Sequence, residues 1–395
     1  MLRDSIHALP KPDPDAAAHS ARVVERIRTE IEAAGGSIPF SRFMEIALYA
    51  PGVGYYSVGT EKFGPAGDFI TAPEVSPLFG RCLARQVAQI LRALGGGDVL
   101  ELGSGSGALA ADLLVELGAL DTLPRQYQIL EVSAELKERQ RGTLASRAAG
   151  HAARVKWLDR LPSDGFRGVI LGNEVLDAMP VQRFCIAPRG PVPVYVAWDG
   201  GHFELREGPP DAALTSAVDE LQRELQLFFP LGYQSEFNPH VKGWIGAIAE
   251  SLAAGAVLLI DYGYPRREYY HPERASGTLI CHYRHRAHFD PLILPGLQDI
   301  SASVDFTAVA DAAVTADLEV AGYTRQSYFL FGCGLASLAE CVDFDDATHG
   351  FEIARQIKLL TLPGAMGDRF KAIALTRDLN VSLCGFALQD DRHQL

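Results

Sequence analysis

The stretch from Asp98 to Gly107, DVLELGSGSG, constrains this chain most. Val99 to Leu102 form a short apolar run that predicts a buried parallel strand, with Glu101 near its carboxyl end. Three glycines follow at alternating positions: Gly103, Gly105 and Gly107. Ala108 to Leu117 then has the apolar spacing of a helix. A strand, a glycine turn and a helix in this order predict a cofactor crevice, because glycine permits both a tight turn and close approach of a ligand.

The spacing of the glycines separates two classes of cofactor. An NAD-dependent enzyme would have G-x-G-x-x-G at this turn, which is absent here. The order G-x-G-x-G, with Glu101 two places earlier, resembles the first motif of Rossmann-like methyltransferases that use S-adenosylmethionine. Tyr127 to Glu131 predict the next strand, and Glu131 stands about where Rossmann-type sites place the acid that holds the ribose hydroxyls. The alternative for Glu131 is a surface glutamate at a strand end.

Composition narrows the class of protein further. The chain has 395 residues, of which 48% are hydrophobic and 22% charged, with a formal net charge of −13. This charge argues against nucleic-acid binding and suits a basic substrate, although solubility alone also explains it. Six scattered cysteines form no C-x-x-C pair, so we expect free thiols in a reducing compartment and no metal. The apolar runs are too short for a membrane span, and residues 1–19 read as a frayed arm of a cytoplasmic enzyme.

The rest of the chain alternates strands and helices, which predicts an α/β fold in one domain with insertions. Strands are expected at Val99–Leu102, Tyr127–Glu131, Arg154–Leu158, Gly168–Gly172, Ala256–Gly263, Arg325–Phe331 and Arg369–Thr376. Helices are expected at Ser20–Ala34, shortly after Pro39, and at Ser76–Leu94, Ala108–Leu117, Leu136–Ala149, Asp211–Phe228, His240–Ala253 and Thr307–Glu319. Val181 to Glu207 predicts a small antiparallel insertion.

Polar side chains follow the fourth predicted strand, where open α/β sheets bind ligands. They are Asn173, Glu174 and Asp177. For Asp177, a role as cap of a following helix is an equal alternative. Trp157, at the end of the third strand, could either stack near an adenine or belong to the core.

A segment rich in histidine and arginine, Tyr264 to Pro295, leaves two interpretations open. Its histidines and arginines are His282, Arg284, His285, Arg286 and His288. A metal site is disfavoured because the spacing matches no standard site and arginines would repel a cation. A lid or substrate loop is the expected role.

Motifs along most of the chain, from about Ile38 to Arg377, resemble those of the MidA-like methyltransferases. This family includes a mitochondrial complex I assembly factor that methylates an arginine of a complex I subunit. The motifs that carry the resemblance are Pro39–Met44, Tyr49–Tyr56, Gly67–Glu74, Glu101–Gly107, Asn173–Pro180, Ile260–Tyr264, Asp299–Phe306 and Leu362–Phe370. Two positions depart from the family pattern, Ser303, where a bulkier residue is usual, and Phe289, where a polar residue is common.

The resemblance implies a Rossmann-like class I fold with a seven-stranded, mostly parallel sheet, a helical N-terminal segment and α+β insertions. Residues 1–95 would close over the cofactor, and residues 96–395 would form the methyltransferase domain, with insertions at about 181–253 and 264–306. Around S-adenosylmethionine the resemblance places Thr71, Pro73, Glu101, Gly103, Gly105, Gly107, Glu131 and Asn173.

The resemblance also implies a protein arginine N-methyltransferase whose target is a subunit of complex I type (NADH dehydrogenase) or another protein. Two carboxylates can bind a guanidinium in bidentate fashion and orient one nitrogen. Glu174 and Asp177 are the candidates, with Glu74 a weaker third.

Two other functions are compatible with the sequence. One is a methyltransferase for a small molecule, and another is an assembly chaperone that binds the cofactor without catalysis. We expect a cytoplasmic protein, with a mitochondrial matrix location for eukaryotic relatives, and the oligomeric state is open.

Overall fold

The computed structural model describes residues 9–57, 71–163, 165–340 and 347–395. Its helices are α1 (Pro14–Ala33), α2 (Phe40–Tyr49), α3 (Ala72–Val75), α4 (Pro77–Leu94), α5 (Ala108–Ala119), α6 (Ala134–Arg147), α7 (Ala212–Leu225), α8 (Val241–Ser251), α9 (Arg266–Tyr269), α10 (Phe306–Thr315), α11 (Gln326–Gly332), α12 (Leu335–Glu340), α13 (Ala347–Thr361) and α14 (Met366–Arg369). Its strands are β1 (Ser37–Pro39), β2 (Asp98–Leu102), β3 (Tyr127–Leu130), β4 (Val155–Leu158), β5 (Phe166–Asn173), β6 (Gln182–Ala187), β7 (Gly190–Trp198), β8 (Phe203–Glu207), β9 (Gln234–Phe237), β10 (Leu252–Tyr264), β11 (Ile280–Tyr283), β12 (Arg286–His288), β13 (Asp299–Ser301), β14 (Val304–Asp305), β15 (Glu319–Arg325) and β16 (Phe370–Arg377).

The central sheet has the strand order β15-β16-β10-β5-β2-β3-β4, and the short β14 pairs with β10. Strands β10, β5, β2, β3 and β4 are parallel to one another, whereas β16 runs antiparallel to both β10 and β15. The order reverses between β2 and β5, and parallel sheets bind ligands at such a switch point. The predicted seven-stranded, mostly parallel sheet is confirmed.

The sheet is buried on both faces, because its central strands are apolar on both sides. In β5, Val169 and Leu171 pack with α4 and α5 on one face, and Ile170 packs with α8 and α10 on the other. This continuous apolar run is typical of a parallel strand covered by helices. Helix α4 shares a hydrophobic cluster with α5 and the central strands of the sheet. It is therefore part of the helical layer that supports β2 and the glycine turn.

The predicted antiparallel insertion is confirmed and is larger than expected. β6, β7 and β8 pair in antiparallel fashion, and two strands join them: β1 from the N-terminal segment and β9 from Gln234–Phe237. The segment 264–306 forms a smaller sheet of β12, β11 and β13.

The predicted division at residue 95 stays a prediction. The motif residues 67–70 and Cys341 lie outside the described part of the chain.

The N-terminal helix begins earlier than predicted. It starts at Pro14 rather than at Ser20, because the Asp13 side chain accepts a hydrogen bond from the Ala16 amide and proline opens the first turn. The predicted frayed arm is therefore wrong for residues 14–19, and residues 1–8 lie outside the described part.

The prediction of a strand at Arg325–Phe331 is wrong. Residues 326–331 belong to α11, while the strand is β15, which ends at Arg325. β15 begins at Glu319, the last residue of the helix predicted at Thr307–Glu319. In α11 the exposed Tyr328 and Phe331 are three residues apart, which is a helical spacing. A short apolar run of this kind fits a strand or a buried helix equally well from sequence.

Candidate active site

The glycine loop joins the end of β2 to the start of α5. Gly103, Gly105 and Gly107 have φ values of 66°, 53° and 85°, a left-handed conformation that favours glycine. A Cβ added at Gly103 would lie 2.9 Å from Val175 Cγ1, and one at Gly107 would lie 3.1 Å from Gln140 Cα. The loop therefore needs glycine for its backbone shape and for its close packing.

A cavity of about 700 Å³ opens beside this loop, where β2, β3 and β5 end. The predicted site residues that line it are Thr71, Pro73, Glu74, Glu101, Gly103, Gly105, Glu131, Asn173, Glu174 and Asp177. Gly107 is not part of the lining, since it lies at the start of α5 and packs against Gln140. The structure thus brings together residues that sequence reasoning could place only at separate strand ends.

Glu131 is fixed at the end of β3 by a small network. Its Oε1 accepts a hydrogen bond from the Ser133 amide at 2.8 Å, and its Oε2 accepts one from Gln140 Nε2 at 3.3 Å. Gln140 also donates to the Gly105 carbonyl and accepts from Trp157 Nε1, at 3.1 and 2.8 Å. Trp157 does not line the cavity, and it contributes to the site by holding the Gln140 side chain in place through this hydrogen bond.

Glu101 lies at the floor of the cavity and is almost fully buried. Tyr127 donates a hydrogen bond from its hydroxyl to Glu101 Oε2 at 2.5 Å. Burial raises the pKa of Glu101 to about 7, while the hydroxyls of Tyr127 and Ser104 act in the opposite direction.

Glu174 follows β5 in a conformation that is unusual for a glutamate. Its φ is 54°, and its backbone amide donates to the Ile260 carbonyl of the neighbouring β10 at 2.9 Å. Its Oε1 accepts hydrogen bonds from Asn173 Nδ2 at 3.0 Å and from the Ala72 amide at 3.3 Å. Burial first, and then the nearby Asp177, raises the pKa of Glu174 to about 8.

Asp177 is buried, and its Oδ1 has no hydrogen-bond partner among the described residues. Burial, together with Asp261 and Asp299, raises its pKa well above the ordinary value. The alternative role as a helix cap is wrong, because a turn and not a helix follows Asp177. Asp261 holds this turn instead, since its Oδ2 accepts hydrogen bonds from the amides of Val175, Leu176 and Asp177 at 3.1, 2.9 and 3.3 Å.

Two tyrosines that sequence reasoning missed complete this part of the cavity. Tyr49 and Tyr56 stack with ring centroids 5.4 Å apart and an interplanar angle of 21°. Tyr49 donates its hydroxyl hydrogen to the Ala178 carbonyl, and Tyr56 donates to Asp299 Oδ1, each at 2.8 Å. We call the region that Tyr49, Tyr56, Glu174, Asp177 and Ala178 line the acceptor end of the cavity.

The lining is strongly acidic. The described lining residues include no lysine, arginine or histidine. Its six acidic residues are Glu74, Glu101, Glu131, Glu135, Glu174 and Asp177. Buried polar atoms without a described partner also occur here, on Asn173 and Asp177. Buried polar groups are normally hydrogen-bonded, so these atoms indicate a polar, cationic ligand. S-adenosylmethionine, with its sulfonium, ammonium and ribose hydroxyls, fits this set.

The two departures from the family pattern lie away from the cavity. Ser303 lines a separate cavity of about 460 Å³ on the other side of the segment around Leu176. Phe289 is exposed on the surface. The five histidines and arginines singled out in segment 264–295 belong to or adjoin β11 and β12, and none of them lines the 700 Å³ cavity.

Among the described residues, no group of three or more histidine, cysteine, aspartate or glutamate side chains is arranged to hold a metal ion. In the same residues, no helix combines the length and the apolar character needed to cross a membrane.

Comparisons with known proteins agree with this site. A family model described as "Putative S-adenosyl-L-methionine-dependent methyltransferase" matches residues 82–324. Protein arginine methyltransferase NDUFAF7, mitochondrial, from Mus musculus is 30% identical over 86% of this chain and 81% of its own length. Its Drosophila melanogaster homolog is 27% identical over 93% of this chain and 88% of its own length.

A solved structure matches over nearly the whole fold. The crystal structure of a Burkholderia thailandensis protein bound to S-adenosyl-homocysteine has 45% sequence identity and a TM-score of 0.94, and the match covers 98% of this chain and 100% of that chain. The cofactor of the present protein is therefore S-adenosylmethionine. The chain belongs to the MidA-like family of S-adenosylmethionine-dependent methyltransferases.

Proposed function

We propose that this methyltransferase modifies a nitrogen of an arginine side chain in a protein substrate. The observation that carries the proposal is the acceptor end, where Glu174 and Asp177 converge without a basic side chain in the described lining. Burying uncompensated carboxylates is costly, so a cationic group of the substrate is the natural partner. The relatives that are named protein arginine methyltransferases support the same choice of acceptor.

The cofactor-binding residues have distinct roles in this proposal. When bound, S-adenosylmethionine supplies a methyl group on a positively charged sulfur. Gly103, Gly105 and Gly107 give the loop the shape that lets a ligand approach the backbone, and Glu131 binds the ribose hydroxyls. Thr71, Pro73 and Asn173 line the same cavity and exclude water from it.

Glu174 and Asp177 orient the acceptor. Two carboxylates bound to a flat guanidinium fix one nitrogen in the direction of the methyl group and offset the positive charge. Such alignment can supply about 7 kcal/mol or more of the barrier reduction. The bound guanidinium favours the ionised form of Glu174, and this carboxylate then accepts the proton that the attacking nitrogen gives up.

Glu74 stays the third candidate for guanidinium binding. Its carboxylate already accepts a hydrogen bond from the Ser106 hydroxyl in the glycine loop. This contact favours a role for Glu74 in joining α3 to the loop, and so in closing the cavity over the cofactor.

A subunit of complex I type is the proposed protein target, and the cytoplasm is the proposed location. The support for the target is the family resemblance to the complex I assembly factor. The net charge of −13 suits a basic segment around the modified arginine.

The decisive experiment incubates the purified protein with S-adenosylmethionine carrying an isotopically labelled methyl group and with purified NADH dehydrogenase subunits. Peptide mass spectrometry then locates the label. We expect labelled methylarginine in one subunit, and no label when the enzyme is Glu174→Gln.

Two results would contradict the proposal. Label recovered only in small molecules from a cell extract would favour the small-molecule methyltransferase. Tight binding of S-adenosylmethionine without any transfer, in protein that also binds the subunits, would favour the assembly chaperone.

A further inference from the structure

We propose that Tyr127 is a positioning residue for the cofactor, which acts by keeping the Glu101 carboxylate charged and directed into the cavity. The inference deepens the proposed site, since it rests on Glu101 binding the cofactor, but it does not depend on the identity of the methyl acceptor. Tyr127 itself does not line the cavity.

The geometry places the two side chains on one face of the sheet. Tyr127 is the first residue of β3 and pairs with Val99, two residues before Glu101 on β2. Side chains two residues apart on a strand point to the same face, so the Tyr127 ring runs alongside β2 towards Glu101. Its hydroxyl reaches Glu101 Oε2 at 2.5 Å, and Tyr127 is 0% exposed. The length and burial of the contact indicate a strong, charge-assisted hydrogen bond.

Among the described residues, no charged group compensates for the burial of Glu101. Its neighbours across the sheet are Ile129 on β3 and Leu171 on β5. Among the described residues, the groups that act on the Glu101 pKa are the hydroxyls of Tyr127 and Ser104, and both oppose the effect of burial. Burial also raises the pKa of Tyr127 well above its ordinary value, so its hydroxyl remains a donor throughout the physiological range.

This contact matters for a cationic ligand. Glu101 lies beside Gly103 and Gly105, where its carboxylate can pair with the ammonium group of the methionine part of S-adenosylmethionine. A protonated carboxyl cannot make that ion pair. A pKa of about 7 means that the Glu101 carboxyl is partly protonated at neutral pH in the free protein. Losing the Tyr127 hydroxyl would therefore reduce the charged fraction of Glu101.

The test is calorimetric titration of the whole chain with S-adenosylmethionine from pH 6 to about 9.5, without any methyl acceptor. Each pH is measured in two buffers of different ionisation enthalpy, which gives the number of protons released on binding. For Tyr127→Phe we expect the pH midpoint for binding to rise by about one to two units, since a hydrogen bond to a charged group is worth that much. At pH 7 its affinity falls by about five- to fiftyfold, which is the drop in the charged fraction of Glu101 for a shift of one to two units, and its proton release exceeds that of the wild type.

Two further variants make the result specific. Tyr323→Phe is the matched control, because Tyr323 is 1% exposed on β15 and its hydroxyl has no described partner. It should leave the midpoint unchanged. Glu101→Gln should bind weakly with an affinity that depends on pH only through the ligand's own amino group, which titrates near pH 8 in every variant.

An unchanged midpoint in Tyr127→Phe would overturn the proposal, as would an equal loss of affinity at every pH in a folded protein. Wild-type pH dependence in Glu101→Gln would do the same. Because no acceptor is present, a failure to methylate arginine would leave this result intact.

Discussion

Glu174 combines a left-handed backbone, a raised pKa and a position at the acceptor end. A non-glycine residue at a φ of 54° costs conformational energy, and such residues concentrate at functional sites. The hydrogen bonds from Asn173 and Ala72 hold the Glu174 carboxylate in place, which repays part of that cost. The position of this acid after a central strand was predictable from sequence, but its backbone conformation was not.

Gly103→Ala should weaken cofactor binding more than it weakens the fold. The new Cβ would lie 2.9 Å from Val175 Cγ1 in a backbone with a φ of 66°. We expect about 1 kcal/mol of lost stability and at least tenfold lower affinity for S-adenosylmethionine. Urea unfolding and calorimetry measure the two effects.

Gly200→Ala is the matched control for this prediction. Gly200 also has a positive φ, of 92°, but nothing lies within 4 Å of its added Cβ, and it is not part of the cavity lining. The Gly200→Ala variant should lose a similar free energy of unfolding and keep the wild-type affinity for S-adenosylmethionine. Equal affinity losses in both variants would show that the effect is not specific to the loop.

The residues that sequence reasoning missed share a physical reason. Asp261 lies near the end of β10 and Asp299 begins β13, and Tyr49 and Tyr56 lie more than a hundred residues before either. Their roles arise from contacts between distant parts of the chain, such as the bond from Tyr56 to Asp299. A local pattern contains no information on those contacts, although the resemblance had already singled out the motifs that hold them.

At the level of elements, Gln140 connects α6 to the glycine loop and to β4. Its fully buried amide donates to Gly105 and Glu131 and accepts from Trp157. The packing of its Cα and Cβ against Gly107 explains why the third glycine is needed, although Gly107 does not line the cavity.

Gln140→Leu should therefore destabilise both the fold and the cofactor site. It leaves the Trp157 indole N–H and the Gly105 carbonyl without this partner, at a cost of about 1–3 kcal/mol for each buried group. We expect lower thermal stability together with lower affinity for S-adenosylmethionine, measured on the same preparation.

Gln86→Leu gives the comparison. Gln86 is equally buried, but it bonds Gln89 and the Gly385 amide, away from the cavity. It should lose stability while the affinity stays near that of the wild type. If Gln140→Leu also kept its affinity, the link between α6 and the loop would be only structural.

The elements of the fold were predictable where periodicity was long and unambiguous. The strand–glycine–helix unit around Gly103 and the parallel strands beside it were found from sequence. The error at Arg325–Phe331 arose because a short aromatic run suits a strand or a helix. Its state depends on packing against α12, α13 and α14 and on the bulge at Val320–Gly322 in β15, which only the tertiary structure contains.

For the whole molecule, the notable feature is a set of buried carboxyls at one edge of the sheet. Burial raises the pKa of Glu101 to about 7 and that of Glu174 to about 8, and it also raises the pKa values of Asp177 and Asp261. Such groups lower the stability of the cofactor-free protein when they ionise. Among the described residues no basic side chain lines this site, so its charges suit a cationic ligand.

The free energy of unfolding should consequently fall as the pH rises from 6 to 8 in the absence of cofactor. An acid with a raised pKa in the folded state binds more protons there than in the unfolded chain, so stability decreases between the unfolded and folded pKa values. For Glu174 alone this amounts to about 2 kcal/mol over that range. Urea unfolding of the wild type and Glu174→Gln should show a smaller pH dependence in the variant.

Glu220→Gln provides the control, because Glu220 is an exposed acid on α7. It should keep the wild-type pH dependence. A stability that increases from pH 6 to pH 8 in the wild type would contradict the raised pKa values.

The central claim is that Glu174 acts on the acceptor and not on the cofactor. The most direct test measures methyl transfer to protein arginine and calorimetric binding of S-adenosylmethionine on the same preparation of Glu174→Gln. We predict near-normal cofactor affinity and abolished transfer. Transfer at the wild-type rate would contradict the assignment of Glu174, and loss of cofactor binding would place its role in the cofactor site instead.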